Sequence, residues 1–403
     1  MKSSTAARAG PSQPLFVGRC WAIALLLTAI TSGCASPSPA IDTATVANLA
    51  PLHLAGRSIS VADATRSLTR PDLLAVDDAM RAFVERYTGG QSNSRVRLMS
   101  LHQMVGSSGG LNMQYDPFAD GSARETFHNG TANCLSYASL FVALAREAGL
   151  DASYHSLEVR PQWRKVSERV QVGLHVNVAV KLRDGRRFIV DIDPLPSSDV
   201  IGMQILTDQD AEALYFNNIA MDALGNKDVE QAWSYLVQAL QLSPKMAHLW
   251  VNLGAVYRSA GQHRDAENSY MLALQLDPGE YSAMTNLALL YGLEGREDEK
   301  QYWQAKVERH RLSNPYYHAW QGDDAAKEGN WTAALQHYDR AVDLLPGDSS
   351  LLFSRGLIYF QLNDFAAATA DIRQAIELAT RHSDITLYRR QLEAIRKAQI
   401  AGA

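Results

Sequence analysis

Apolar and polar positions change period along this chain, and the changes divide it. Over 133–149 apolar residues recur at three- and four-residue steps, with Leu140, Phe141, Leu144 and Ala148 on one face, which predicts an amphipathic helix. Asn133 suits its N-cap, because a side-chain oxygen there can accept a free first-turn N–H, and Gly149 suits its C-terminal stop. Two helical patterns precede it. One opens at Pro71-Asp72, runs through Leu73, Leu74, Met80, Phe83, Val84 and Tyr87, and closes at Gly89-Gly90. The other runs through Leu98, Leu101, Met104 and Val105 and ends in Gly and Ser residues over 106–110. Residues 111–117 read as extended, and 121–130 as a loop or short helix. After Gly149 the period becomes two. One strand is expected over 152–159, then a polar surface loop over 161–169. Leu174, Val176, Val178, Val180 and Leu182 then alternate with His175, Asn177, Ala179 and Lys181, and Phe188, Val190 and Ile192 with Ile189, Asp191 and Asp193.

The turn between these last two strands sets which side chains meet. A two-residue Asp184-Gly185 loop would place Asp191 opposite Val178. A three-residue Arg183-Asp184-Gly185 loop, with Gly in the left-handed position, pairs apolar with apolar and gathers His175, Asn177, Asp191 and Asp193 on one face. The hydrophobic pattern selects the second register.

Composition narrows the class. The chain has 403 residues, enough for two or three domains, and its 46% apolar and 20% charged content is that of an ordinary globular protein. The formal net charge is −5 and no long basic block occurs, so nucleic acid is not an expected partner. Lys2, Arg8 and Arg19 flank or precede a short apolar run over 21–30, the pattern of a signal segment and too short to span a bilayer. Thr31-Ser32-Gly33-Cys34 resembles a bacterial lipobox, with Thr31 in place of the usual Leu. That resemblance implies cleavage before Cys34, lipidation of its sulfur and, with Ala35 next, an outer-membrane destination. Of the three cysteines, Cys20 would then leave with the signal and Cys34 carry lipid. Cys134 remains as the one thiol of the folded body, with no partner for an internal disulfide.

Cys134 opens the apolar helix, where unpaired N–H groups and the positive dipole end are expected to favour thiolate. A following hairpin carries His on one strand and Asp on the next, completing a nucleophile–base–orienter set. The pieces are Asn133-Cys134-Leu135-Ser136 with 140–146, then His175-Val176-Asn177-Val178, then Val190-Asp191. Together they resemble the bacterial transglutaminase-like domains, relatives of the papain-type cysteine proteases. The resemblance implies an α+β domain with helices packed on an antiparallel sheet, Cys134 as nucleophile, His175 as base and Asp191 as orienter, with Asp193 the alternative. It also implies acyl transfer through a thioester, with amide hydrolysis favoured over transamidation. The Cys134 backbone N–H is one oxyanion donor, and the second is unassigned. The chain departs from the family at Asn177, where an aromatic often follows the His, and at Phe188, commonly Trp. His102, His128 and His155 are assigned to surface or core, and no cofactor or metal site is expected.

The C-terminal half repeats every 34 residues. Ala232, Ala239 and Pro244 mark one unit, and Trp250, Leu253, Gly254, Tyr257, Ala266, Tyr270, Ala273 and Pro278 the next. Leu287 and Tyr291 mark a third, in which Lys300 and Val307 replace the second-helix alanines and a late Pro315 predicts a longer second helix. Gly322, Ala334, Tyr338, Ala341 and Pro346 mark the fourth, and Gly356, Tyr359, Ala368 and Ala375 the fifth. These resemble tetratricopeptide repeats, which implies an all-α solenoid whose groove binds a protein or peptide.

The expected organisation is a signal peptide over 1–33, a flexible tether over 34–52 and a transglutaminase-like domain over 53–204. A solenoid of about five repeats over 205–380 and a capping helix over 381–403 complete it. Two functions compete: an envelope-anchored cysteine hydrolase or acyltransferase, and a catalytically inactive lipoprotein scaffold that binds proteins in envelope assembly.

Overall fold

The computed structural model describes residues 41–67, 71–159, 175–195 and 200–401. The expected signal segment, Cys34 and the loop over 161–169 lie outside these residues. Within them the chain runs α1 (Thr43–Ala47), β1 (Leu52–Leu54), β2 (Arg57–Ile59), α2 (Val61–Ser67), α3 (Asp78–Thr88), α4 (Ser94–Gly106), β3 (Gln114–Tyr115), α5 (Ala123–Asn129), β4 (Thr131–Ala132) and α6 (Cys134–Glu147). Strands β5 (Asp151–Val159), β6 (His175–Lys181), β7 (Arg187–Val190) and β8 (Val200–Leu206) follow.

These four strands form one antiparallel sheet in the order β7-β6-β5-β8. Helix α6 supplies the core: Leu140, Phe141, Val142, Leu144 and Ala145 are fully buried, packed with Val176, Val178, Val180 and Tyr154 of the sheet. Asn133 caps α6, accepting the Ser136 N–H at 2.8 Å, and Gly149 ends it at φ +69°, a left-handed backbone that costs glycine little. The hairpin takes the three-residue loop. Leu182 pairs with Arg186, Gly185 sits at φ +82°, and Val178 faces Val190. The first helix starts later than the pattern suggests. Asp77 caps α3 through the Met80 N–H, and the preceding segment runs past α5, where the Leu73 carbonyl accepts the Ala123 N–H.

From Thr207 onward the chain is helical: α7 (Asp208–Gly225), α8 (Val229–Leu242), α9 (Ala247–Ser259), α10 (His263–Leu276), α11 (Tyr281–Leu293), α12 (Glu297–Ser313), α13 (Pro315–Lys327), α14 (Trp331–Leu344), α15 (Ser349–Gln361), α16 (Phe365–Leu378) and α17 (His382–Ala401). Helices α7 to α16 pack as five successive pairs, and α17 packs on α16. Small residues set the approach within pairs. A Cβ on Gly254 would lie 2.5 Å from the Tyr270 ring, one on Gly322 2.6 Å from Tyr338, and one on Gly356 2.8 Å from Ile372. The first and third pairs lack this contact, and α12 extends to 17 residues.

Three expected boundaries are corrected. Residues 43–47 form α1 instead of a tether. Val46 and Leu52 are fully buried, and with Ile41 and Ala64 they complete the core around Trp233 and Trp250. Gln262 holds the same stretch, accepting the His53 N–H at 2.7 Å and donating to the Pro51 carbonyl at 3.1 Å. Residues 41–67 therefore cap the solenoid and do not begin the sheet domain at 53. Strand β8 crosses the 204/205 division, because its last residues Ile205 and Leu206 still pair with His155 and Tyr154. Helix α7 serves both bodies. Ala211 and Leu214 enter the sheet-domain core, while Ala213, Phe216, Ala220 and Ala223 enter the solenoid core.

Candidate active site

Cys134 opens α6 with its sulfur against the start of β6. The backbone N–H groups of Val176, Leu135 and Cys134 itself lie near enough to it to favour its charged form. His175 is the residue before Val176. Its Nε2 lies 2.7 Å from Asp191 Oδ2, and both side chains are largely withdrawn from water. The same carboxylate oxygen accepts the Asn177 amide at 3.3 Å, and Asp191 Oδ1 accepts the Asp193 backbone N–H at 3.1 Å. The hairpin register explains the grouping, because Val178 opposite Val190 sets Asn177 opposite Asp191.

Of the two aspartates, Asp191 contacts His175. Asp193 is exposed and braces Asp191 through its main chain. With Nε2 on the carboxylate, Nδ1 is the ring nitrogen left to take a proton. Of the other histidines, His155 is the near one, on β5 directly opposite Asn177. His128 pairs with Asp77 at 2.7 Å, His102 is exposed, and buried His155 sets Nδ1 3.1 Å from Met203 Sδ. Among the described residues no group of three or more His, Cys, Asp or Glu side chains could hold a metal ion.

The electrostatics correct one expectation. Burial pushes the Cys134 thiol above its ordinary range, and the Asp191 charge adds to the rise. The N–H donors of Val176, Leu135 and Cys134 pull the other way without prevailing. A helix N-terminus stabilises a thiolate, but desolvating an anion costs more here. Near neutral pH Cys134 is thus a thiol.

Two tyrosines that the sequence pattern did not single out stand near these charges. Tyr115, half-exposed on β3, has its phenol pushed up by burial and by the charges of Cys134, Asp193 and Asp191. Tyr137 is raised by burial and by Asp191. Both therefore stay protonated and can donate hydrogen bonds. Nothing in the local pattern marks Tyr115, because its strand is two residues long.

Comparison with known proteins agrees with the helix–hairpin arrangement. Residues 81–192 match the transglutaminase-like superfamily, a span that runs from α3 through Cys134 and His175 to the residue after Asp191. This is a transglutaminase-like domain. Residues 247–280, which are α9 and α10 with their turns, and residues 325–396 match tetratricopeptide repeats. Among curated proteins the chain is 25% identical over 135 residues to anaphase-promoting complex subunit CDC16 of Saccharomyces cerevisiae, covering 34% of this chain and 16% of that one. It is 26% identical over 169 residues to protein O-mannosyl-transferase TMTC3 of Mus musculus, covering 38% and 18%. The chain thus spans less than a fifth of the length of either relative. Among solved structures it is similar to the MamA protein, at 17% identity over 41% of this chain and 91% of that one, with a TM-score of 0.23. It is also similar to pilF of Pseudomonas aeruginosa, at 14% identity over 48% and 88%, with a TM-score of 0.26.

The transglutaminase-like domain is joined to the repeats by specific contacts. Arg146 at the end of α6 forks onto Asp208 at the start of α7, at 2.6 and 2.9 Å. Away from the Cys134 cluster, a cleft of about 510 Å³ between the sheet and the repeats is lined by Ser156, Gln204, Asp210, Ser243 and His248 among others. Burial pulls His248 down to about 4, so it is neutral near pH 7.

Proposed function

We propose that this protein is a cysteine acyl-transfer enzyme, with amide hydrolysis its first activity, whose repeats hold a protein substrate or partner. The observation that carries the reading is the His175–Asp191 pair at 2.7 Å, with the neighbouring Val176 N–H near the Cys134 sulfur. In the forward step His175 Nδ1 takes the Cys134 proton as sulfur bonds to the amide carbonyl carbon. The Cys134 backbone N–H faces the developing oxyanion, at the N-terminus of α6. Collapse breaks the C–N bond, the amine leaves with the proton from His175, and a thioester remains. Water gives a proton to His175 and adds to the thioester; the carboxylic acid departs and the thiol is restored. Asp191 holds the ring in the required tautomer throughout.

A raised thiol also favours a second reading, in which the fold persists as a scaffold and the repeats do the work. Alkylation separates the two. His175→Ala should slow iodoacetamide modification of Cys134 by about a hundredfold near neutral pH, the scale of a lost general base. Equal rates in both proteins at every pH would establish the scaffold reading. We also propose that Cys34 carries lipid and holds the protein on the periplasmic side of the outer membrane. In that case Cys34→Ser should move the protein from the membrane fraction to the soluble periplasm, and its retention in the membrane fraction would refute the anchor.

A further inference from the structure

The N-cap of the helix that opens at Cys134 is held by its own domain and, one step further out, by α7. Asn133 uses both ends of its amide: Oδ1 accepts the Ser136 N–H at 2.8 Å, and Nδ2 donates to Asp120 Oδ1 at 2.6 Å. Ser136 closes the cap, its Oγ accepting the Asn133 N–H at 2.9 Å and donating to the Ala119 carbonyl at 2.7 Å. The loop carrying Ala119 and Asp120 is tied to the segment before Cys134 again where the Asp116 N–H donates to the Ala132 carbonyl at 2.9 Å. Asp120 Oδ1 also accepts a second amide, Nδ2 of Asn218, at 3.2 Å. Asn218 lies on α7, the first helix of the solenoid. Its neighbour Asn217 accepts a hydrogen bond from Asn252 of α9 at 2.6 Å. Adjacent positions of α7 therefore contact the second helix pair through Asn217 and, through Asn218 and one carboxylate, the residue before Cys134.

Asp120 gains nothing obvious from this position. Burial raises its carboxyl above the ordinary range, the nearby Asp222 charge opposes ionisation further, and the two amides offset this only in part. A carboxylate kept at such a site is costly unless its hydrogen bonds are needed. The N-cap also fixes the direction of the Cys134 and Leu135 N–H groups, two of the three donors that favour thiolate.

We infer that Asp120 and Asn218 are positioning residues through which the solenoid sets the reactivity of Cys134. The inference rests on the acyl-transfer reading of that site. Neither residue touches the reacting atoms; Asp120 acts through Asn133, and Asn218 through Asp120. Whatever shifts α7, including a protein seated among the repeats, alters the nucleophile.

The test uses the full chain, iodoacetamide as probe and peptide mass spectrometry to read the Cys134 adduct alone, across roughly pH 6 to 10. Asn218→Ala should slow alkylation about tenfold near neutral pH, the scale of a lost hydrogen bond to a charged group, and move the midpoint upward. Its far-UV spectrum should match the parent, with melting lowered by no more than the loss of one hydrogen bond. Asn218→Ser, whose hydroxyl falls short of Asp120, should behave alike and serves if the alanine variant does not fold. Asp120→Asn retains an acceptor oxygen and should give a smaller shift. A folded Asn218 variant with the parent profile overturns the coupling, even when His175→Ala is slow. The acyl-transfer reading fails separately, when His175→Ala matches the parent.

Discussion

At the scale of single residues, Asp191 and Asp193 separate cleanly. Asp191 accepts from both His175 and Asn177, whereas Asp193 offers its backbone and leaves its carboxylate in water. Asp191→Asn should lower turnover by about a hundredfold or more through the wrong imidazole tautomer, while Asp193→Asn should change it by no more than about twofold. Comparable losses in steady-state kinetics would refute the assignment. The thiol carries a sign that can be checked. Its folded pKa lies above the unfolded value of about 8.5, so its stabilisation is complete below that pH and lost as pH rises through the folded value. The melting difference between wild type and Cys134→Ala should therefore shift against wild type as pH rises above about 8.5. A pH-independent difference would mean that burial does not perturb this thiol.

Elements add constraints that residues do not show. Gly254, Gly322 and Gly356 sit where a Cβ would collide with Tyr270, Tyr338 and Ile372, so these three pairs of helices close on a bare backbone. The longer α12 interrupts this series and buries only Trp303. On either side of it the apolar core divides, one part ending at Trp303 and Val307 and the other beginning at Tyr316. Gly356→Val should cost about 1 to 3 kcal/mol by overpacking. In hydrogen exchange the loss of protection should stay within α13 to α17. Loss spreading into α9 and α10 would show that the two parts unfold as one.

Across the whole molecule, the chain folds back on itself in two places. Residues 41–67 cover Trp233 and Trp250, and α7 is built into both cores. Leu52→Asp places an unpaired charge in the solenoid core and should strip exchange protection from α8 and α9 before α6. Equal loss in α6 would mean that the N-terminal stretch supports the sheet domain after all. A separate solenoid fragment is also expected to suffer if it begins after Leu206, because Ala211 and Leu214 would face water.

The alternation of polar and apolar residues by itself determined α6, the hairpin and its register. A slip of one residue there would have exposed Val178 and Val190, so hydrophobic burial admits one pairing. The 34-residue spacing likewise determined the helix pairs, since a small residue must recur wherever two backbones close. Tertiary structure alone decided which aspartate meets His175, because the alternation puts both on one face and only the path after Val190, where β7 ends, tells them apart. It also decided the ionisation of Cys134. Helix polarity is legible from order along the chain, but desolvation depends on what packs around the sulfur, and here desolvation prevails. The contact from Asn218 to Asp120 belongs to the same class: the two residues are 98 positions apart, and only the packing of α7 against the loop between β3 and α5 brings them together.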